Sequence, residues 1–312
     1  MRLTRFTARF YVAIGIILTV TLLGFVGPLV FNGHTPDDVV GGLYDKPSGD
    51  VWLGTDNLGH DVFTRLMYGT RSSLYVGLLA GVVATIIGVI IGTLAGYLGG
   101  FTEEALMGFT NVILAIPSIV VLILVSIALE SATVLSVGLV IAFTSWTWTA
   151  RAVRAQASSV RTREHLDIAR LSGAGTVSVI TFDVIPYMMS YIVMAFVLQV
   201  ASAILSEAAL SLLGLGLSDG LSLGQMLHWA LAWESVRNSA WWAFVPPTLV
   251  LALVAFGFLL LQSSLDEVFN PRLRRGADRR SKWKAKPATP AAQPIGDPDA
   301  GATGTLVGGG AQ

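Results

Sequence analysis

Little in this chain is equipped for covalent chemistry. It has no Cys, which removes thiolate nucleophiles, disulfides and thiolate metal sites together. His34, His60, His165 and His228 stand far apart, and no two share the spacing of metal ligands. No glycine-rich phosphate loop ending in Lys-Ser or Lys-Thr occurs, because the only lysines are Lys46 and those from Lys282 onward. The chain is read as lacking a nucleophile elbow as well, so no catalytic residue, resident cofactor or metal ion is expected. The polar side chains that stand out are those set in apolar surroundings: Asn111, Gln199 and, at a boundary, Glu207. With the helix breaker Pro117 they are the candidates for lining a solute's path. Each polar one also fits the blander role of a hydrogen-bonding partner between helices, and Glu207 that of a helix cap.

The elements that would position these residues are apolar and long. Apolar residues make up 53% of the 312, and charged ones only 13%, where a soluble domain carries about 25%. A helix needs about 20 apolar residues to cross the hydrocarbon core of a bilayer. Six stretches meet or approach that length: 10–31, 74–98, 106–129, 134–150, 187–206 and 242–261. None contains Asp, Glu, Lys or Arg, as expected where a charge at the centre of a span costs about 2.5–3.5 kcal/mol. The alternating ten-residue strands of a membrane barrel are not seen. The expected fold is all-α, a polytopic membrane protein with six transmembrane helices. The first stretch is too long for the apolar core of a leader peptide and reads as a retained span.

Charge sets the expected orientation. Sixteen of the 20 basic residues fall on one side of a six-span layout: Arg2, Arg5 and Arg9, five arginines between Arg151 and Arg170, and eight from Arg272 to Lys286. That side, with both termini, is expected to face the cytoplasm, and the loop before residue 74, which holds six Asp, the outside. Three segments follow: 1–73, a span and outer loop; 74–275, the membrane-embedded core with an inner loop at 151–186; and 276–312, a Pro-, Ala- and Gly-rich tail expected to be disordered. The basic start of the tail either enforces topology or attracts anionic lipid. Within the second span Gly88, Gly92 and Gly96 recur every fourth residue, so another helix should approach there closely, from this chain or another. Pro117 should kink the third span.

The 151–186 loop is too long for a turn. It reads as two short helices meeting at a bend around Gly173 and ending at Pro186, a knob standing off the membrane. The alternative is an interfacial connector held by its arginines. Asp167-Ile168-Ala169, Gly173 and Ile185-Pro186 resemble the "E-A-A, three residues, G, later I-x-L-P" loop of ABC-importer permeases, with Asp167 for Glu and Phe182-Asp183 for the usual Arg-His. Leu53-Gly54-Thr55-Asp56-Asn57-Leu58-Gly59-His60-Asp61 resembles the "L-G-T-D-x-x-G-R-D" block of the dipeptide, oligopeptide and nickel branch, in the second permease of the pair. Residues 207–216 resemble its "E-x-x-L-S-F-L-G-L-G", and 265–274 its closing "L-D-P-R-L-R".

That resemblance implies a type I importer fold and an ATP-driven permease subunit that hydrolyses nothing itself. The implied partners are a second, similar permease, two ABC ATPase domains carrying ATP and Mg, and an extracytoplasmic substrate-binding protein, in the inner membrane and without nucleic acid. Glu164, Asp167, Ala169, Gly173 and Pro186 would belong to the loop that docks on the ATPase. The implied cargo is di- or oligopeptides, with nickel or another small solute as the alternative. An ion-coupled secondary transporter is the rival class, and spans without ionisable residues argue against it. Apart from any resemblance, residues 53–61 read as a structured lid more readily than as a substrate contact.

Overall fold

Helix α3, Val62–Leu98, organises the molecule. It begins where Asp61 caps it, the carboxylate accepting from the amides of Phe63 at 3.2 Å and Thr64 at 3.0 Å. Its 37 residues make it roughly 55 Å long, more than a bilayer core requires. The expected boundary between residues 73 and 74 therefore falls inside a helix. Hydropathy fades there around Arg65 and Arg71, but helix formation follows the cap and not the hydropathy.

A computed structural model describes residues 8–31, 33–129, 131–218 and 220–269. Arg2, Arg5, the closing Pro271-Arg272 motif and the tail after it lie outside the described residues. The remaining elements are α1 (Ala8–Phe25), α2 (Gly27–Val30), α4 (Gly100–Leu114), α5 (Ser118–Ala128), α6 (Val134–Arg161), α7 (Glu164–Leu171), α8 (Thr176–Val179), α9 (Ile185–Leu210), α10 (Leu223–Ala232) and α11 (Trp241–Phe269). Among the described residues there is no strand, only two isolated bridges, Val39 with His60 and Thr55 with Asp61.

All six expected spans are helical. Helices 8–25, 62–98, 176–215 and 241–268 are each long and apolar enough to cross a membrane. Helices α4 and α5, bent by 72° at the Ala115-Ile116-Pro117 break, are together apolar enough for a fifth, as a broken span or a re-entrant loop. Pro117 thus separates two helices where a kink is expected. Helix α6, where the fourth of the six stretches was expected, is not among the helices apolar enough to cross by that measure, being more polar through its Ser, Thr and Trp residues and ending in arginines. Large apolar side chains such as Leu18, Ile86, Ile90 and Phe256 lie exposed along these helices, a surface stable against lipid but not water. The chain is a multi-pass membrane protein.

The glycine stripe meets a helix of this same chain. A Cβ added at Gly88 would stand 2.6 Å from Thr149 Cβ, one at Gly92 2.8 Å from Val153 Cβ, and one at Gly96 2.7 Å from Ala157 Cβ. These are all residues of α6, so the stripe lets α3 and α6 lie backbone to backbone. Farther up, Gly81 faces Val200 of α9 in the same way. Helix α3 is thereby the centre of the bundle, with α1 and α11 packed together on another side.

Candidate functional site

Three places bear on function: a protrusion at the C-terminal end of α3, two cavities along the bundle, and a lid at the N-terminal end of α3.

The protrusion is built on a packed base. Leu166 of α7, Val179 of α8 and Val184 are fully buried, in one cluster with Tyr97 of α3 and Val153, Ala157 and Val160 of α6. Glu164 and Asp167 lie in the first turn of α7, where the helix dipole favours acids. Gly173 turns the chain with φ +83°, its amide donating to Arg170 O at 3.0 Å, and the Ala174 amide bonds Ala169 O at 3.1 Å. The expected bend at Gly173 is thus present. Arg170 donates to Asp167 at 3.0 Å and to the Tyr97 hydroxyl at 3.2 Å, fastening α7 to the end of α3. Glu164, Asp167 and Gly173 are exposed, and Ala169 is half-buried against the base. Above that base stand Ile168, Leu171, Val177 and Phe182, 66 to 88% exposed.

Contrary to expectation, the second stretch does not end at Pro186. Helix continues from Thr176 through Leu210, with Pro186 in the first turn of α9, and the apolar run extends to Leu215 with a kink at Gly214, φ +82°. A π-helical turn at Ile180–Val184 immediately precedes α9. A wider turn accommodates the missing amide and the ring that would otherwise clash with the carbonyl four residues back.

The expected path residues separate into three environments. Pro117 and Gln199 line one cavity of about 670 Å³ between the α4–α5 bend, α6 and α9, and Gln199 Nε2 donates to Ser145 O at 2.9 Å. Asn111 lines a second cavity of about 880 Å³ between α4 and α6, with Glu103, Glu104, Arg151 and Arg154. Trp148 borders both. Glu207 lies in neither. It is fully buried, with Ser73 of α3 donating to one carboxylate oxygen at 3.0 Å and Ser211 to the other at 2.6 Å. Since α9 runs past residue 206, Glu207 stands within a continuous apolar helix, and the expectation of membrane helices without ionisable residues does not hold there. The serines, with the Leu223 amide bonding Ser73 Oγ at 3.2 Å, join α3, α9 and α10 around it.

Residues 216–220, Gly-Leu-Ser-Asp-Gly, have the spacing of a nucleophile elbow, which corrects the reading that none exists. The geometry differs: helical segments flank Ser218 on both sides, and its hydroxyl accepts from the Ala132 amide at 2.6 Å.

The lid, residues 33–61, is held by its own polar side chains. Thr55 Oγ1 accepts from the Asp45 amide and donates to Gly42 O, both at 2.7 Å. Trp242 Nε1 donates to Thr55 O and the Tyr44 hydroxyl to Trp233 O, each at 3.0 Å, which ties the lid to α11 and the segment after α10. Sequence reasoning missed the pairing beneath it: Asp56 meets Arg65 in an ion pair, with His60 Nδ1 at 3.2 Å from the same carboxylate. Burial pushes the Asp56 carboxyl up, but the amides of His60 and Leu58 and the Arg65 guanidinium outweigh it and hold the carboxyl below its usual value. The signal was available in Asp56, His60, Asp61 and Arg65, four charged or titratable residues within ten positions around a Gly-containing loop.

Comparison with known proteins bears on the same stretch. The family model described as "Binding-protein-dependent transport system inner membrane component" matches residues 88–275. The dipeptide transport system permease protein of Bacillus subtilis (strain 168) is 33% identical over 265 residues, covering 83% of this chain and 81% of that protein. The oligopeptide transport system permease protein of the same organism is 30% identical, covering 74% and 75%. A putative peptide transport system permease protein of Brucella suis biovar 1 (strain 1330) is 31% identical, covering 85% and 88%.

Proposed function

Because the chain belongs to the family of binding-protein-dependent transport system inner membrane components, we propose that it is one of two permease subunits of an ATP-driven importer of di- and oligopeptides. The cargo class follows the names of the relatives above. The observation that carries the mechanism is the protrusion. It presents four exposed apolar side chains, Ile168, Leu171, Val177 and Phe182, on a buried base that the bundle holds rigidly. Apolar tips of this kind on a non-lipid surface suit a groove on a partner protein.

The force path is short. An ATPase pair that closes on ATP and Mg displaces α7 and α8. Because helix is continuous from Thr176 through the π turn and Pro186 to Leu210, that displacement reaches Gln199 on the cavity wall without a break in the helix. The Arg170 bonds to Asp167 and Tyr97 make α3 move with it. The bundle is thereby biased between two arrangements, open outward and open inward. The arginines around the protrusion support a cytoplasmic position for it and for both termini. The lid then faces the extracytoplasmic binding protein that delivers cargo, and the second permease completes the path.

Co-expression with its ATPase and permease partners tests the reading. The assembled complex in vesicles should take up alanine peptides only with ATP inside and binding protein outside. Leu171→Asp and Phe182→Asp should each strip the ATPase from the purified complex. Peptide uptake driven by a proton or sodium gradient with no ATPase present would overturn it.

A further inference from the structure

The cavity between α4 and α6 holds more charge than its own helices use. Glu103 is taken by Arg154, whose Nε donates to it at 2.6 Å. Glu104, the next residue on α4, and Arg151, one turn earlier on α6, line the same cavity. Both are exposed, and neither has an ion pair or hydrogen bond to its side chain among the described residues. Their neighbours on the cavity wall follow helical spacing: Met107 and Asn111 along α4, Trp148 and Ala152 along α6. One wall thus offers a free carboxylate and the other a free guanidinium, with an amide and an indole between. Opposite charges across a cleft with low-dielectric walls act more strongly than on an open surface.

The adjoining cavity sharpens the point. It has no ionisable residue on its walls, and Trp148 borders both chambers. A solute charged at both ends loses water on entering the first chamber and finds no ion there to replace it. The second chamber offers one partner of each sign.

We propose that Glu104 and Arg151 form a two-ended site for zwitterions, and that the chamber nearer the protrusion selects solutes with a free ammonium and a free carboxylate. Glu104 accepts from the ammonium, Arg151 donates to the carboxylate as a fork, and Asn111 and Trp148 meet the amide and side chains between. A solute carrying one charge satisfies half the site. This inference rests on the peptide-permease reading and adds the residues that read the cargo's ends.

The absence of Cys makes the test direct. In the assembled complex, Ala152→Cys supplies the chain's sole thiol, on the cavity wall, and its rate of reaction with a maleimide is measured. Dialanine should slow that reaction, while dialanine acetylated at its amine and amidated at its carboxyl should not. Adding Glu104→Gln or Arg151→Gln should abolish the protection and lower dialanine uptake about tenfold, the scale of one lost charge-assisted hydrogen bond, with the ATPase still co-purifying. Undiminished dialanine uptake by both Gln variants would overturn the proposal. So would dialanine uptake by the Ala152→Cys complex with no protection of its thiol, a readout that stands even if a Gln variant fails to assemble. Failure of the unsubstituted complex to import any alanine peptide would instead overturn the permease reading, and this site with it.

Discussion

Asp56 and Arg65 are the residues on which the lid closes. Asp56 is 8% exposed and Arg65 9%, so each has surrendered most of its water and relies on the other. Removing one partner from such a pair strands the other charge, at a cost of about 3–5 kcal/mol. Asp56→Ala should therefore loosen residues 33–61 selectively, seen as faster amide exchange there while α3 and α6 stay protected. The pH dependence has a definite sign. The folded carboxyl lies below its ordinary 3.8, so the stability it contributes is complete above that value and disappears only as pH falls through the lower, folded one. Lid protection should be flat from about pH 8 to pH 5 and fail below about pH 4, and loss of protection between pH 7 and pH 5 would show that another group governs it. Glu207 contrasts with Asp56: its partners are serine hydroxyls from two segments and no cation among the described residues, an arrangement that joins helices without demanding a charge.

At the scale of elements, two glycine positions separate bend from contact. Gly173 has φ +83° with open space where a Cβ would go, so Gly173→Val imposes only backbone strain, roughly 1–2 kcal/mol. It should leave the protein folded and assembled but raise the ATP hydrolysed per peptide imported, and an unchanged ratio would remove the bend from the mechanism. Gly92 is the opposite case. Leucine there must push α6 away from α3, and little folded complex should survive size-exclusion chromatography, whereas Gly15→Leu on α1, with nothing within 4 Å, should be tolerated. The spans were legible in the sequence because lipid forbids charge along 20 residues, and the bend was legible because Gly173 follows an amphipathic stretch. The helix facing Gly88 to Gly96 was not, since four-residue spacing specifies close approach and says nothing of the neighbour. Pro186 misled for a related reason: proline usually ends a helix, and the π turn that accommodates it has no sequence signature. Asn111, Pro117, Gln199 and Glu207 were conspicuous as residues, yet their division among two cavities and a buried serine hub depends on which helix faces touch.

At the scale of the whole molecule, α3 acts as a ruler between the two working ends. Asp61 caps its start and belongs to the lid, while Tyr97 near its end holds Arg170 of the protrusion. The intervening helix is roughly 55 Å long, longer than the hydrocarbon core and apolar enough to cross it once. A single crossing by α3 puts lid and protrusion on opposite faces of the membrane. On the proposed orientation, with the arginine-rich protrusion inside, a membrane-impermeant maleimide applied to intact cells should label Leu58→Cys and spare Val177→Cys. Both positions are open, at 49% and 78% exposure, so accessibility on one side is not the limitation. Permeabilised cells should label both, provided the ATPase is first stripped from the protrusion. Labelling of Val177→Cys alone from outside would invert the molecule and leave no route for cytoplasmic ATP to reach α7 and α8. Labelling of both in intact cells would mean that α3 does not span the bilayer, and the force path from protrusion to cavity would lose its frame.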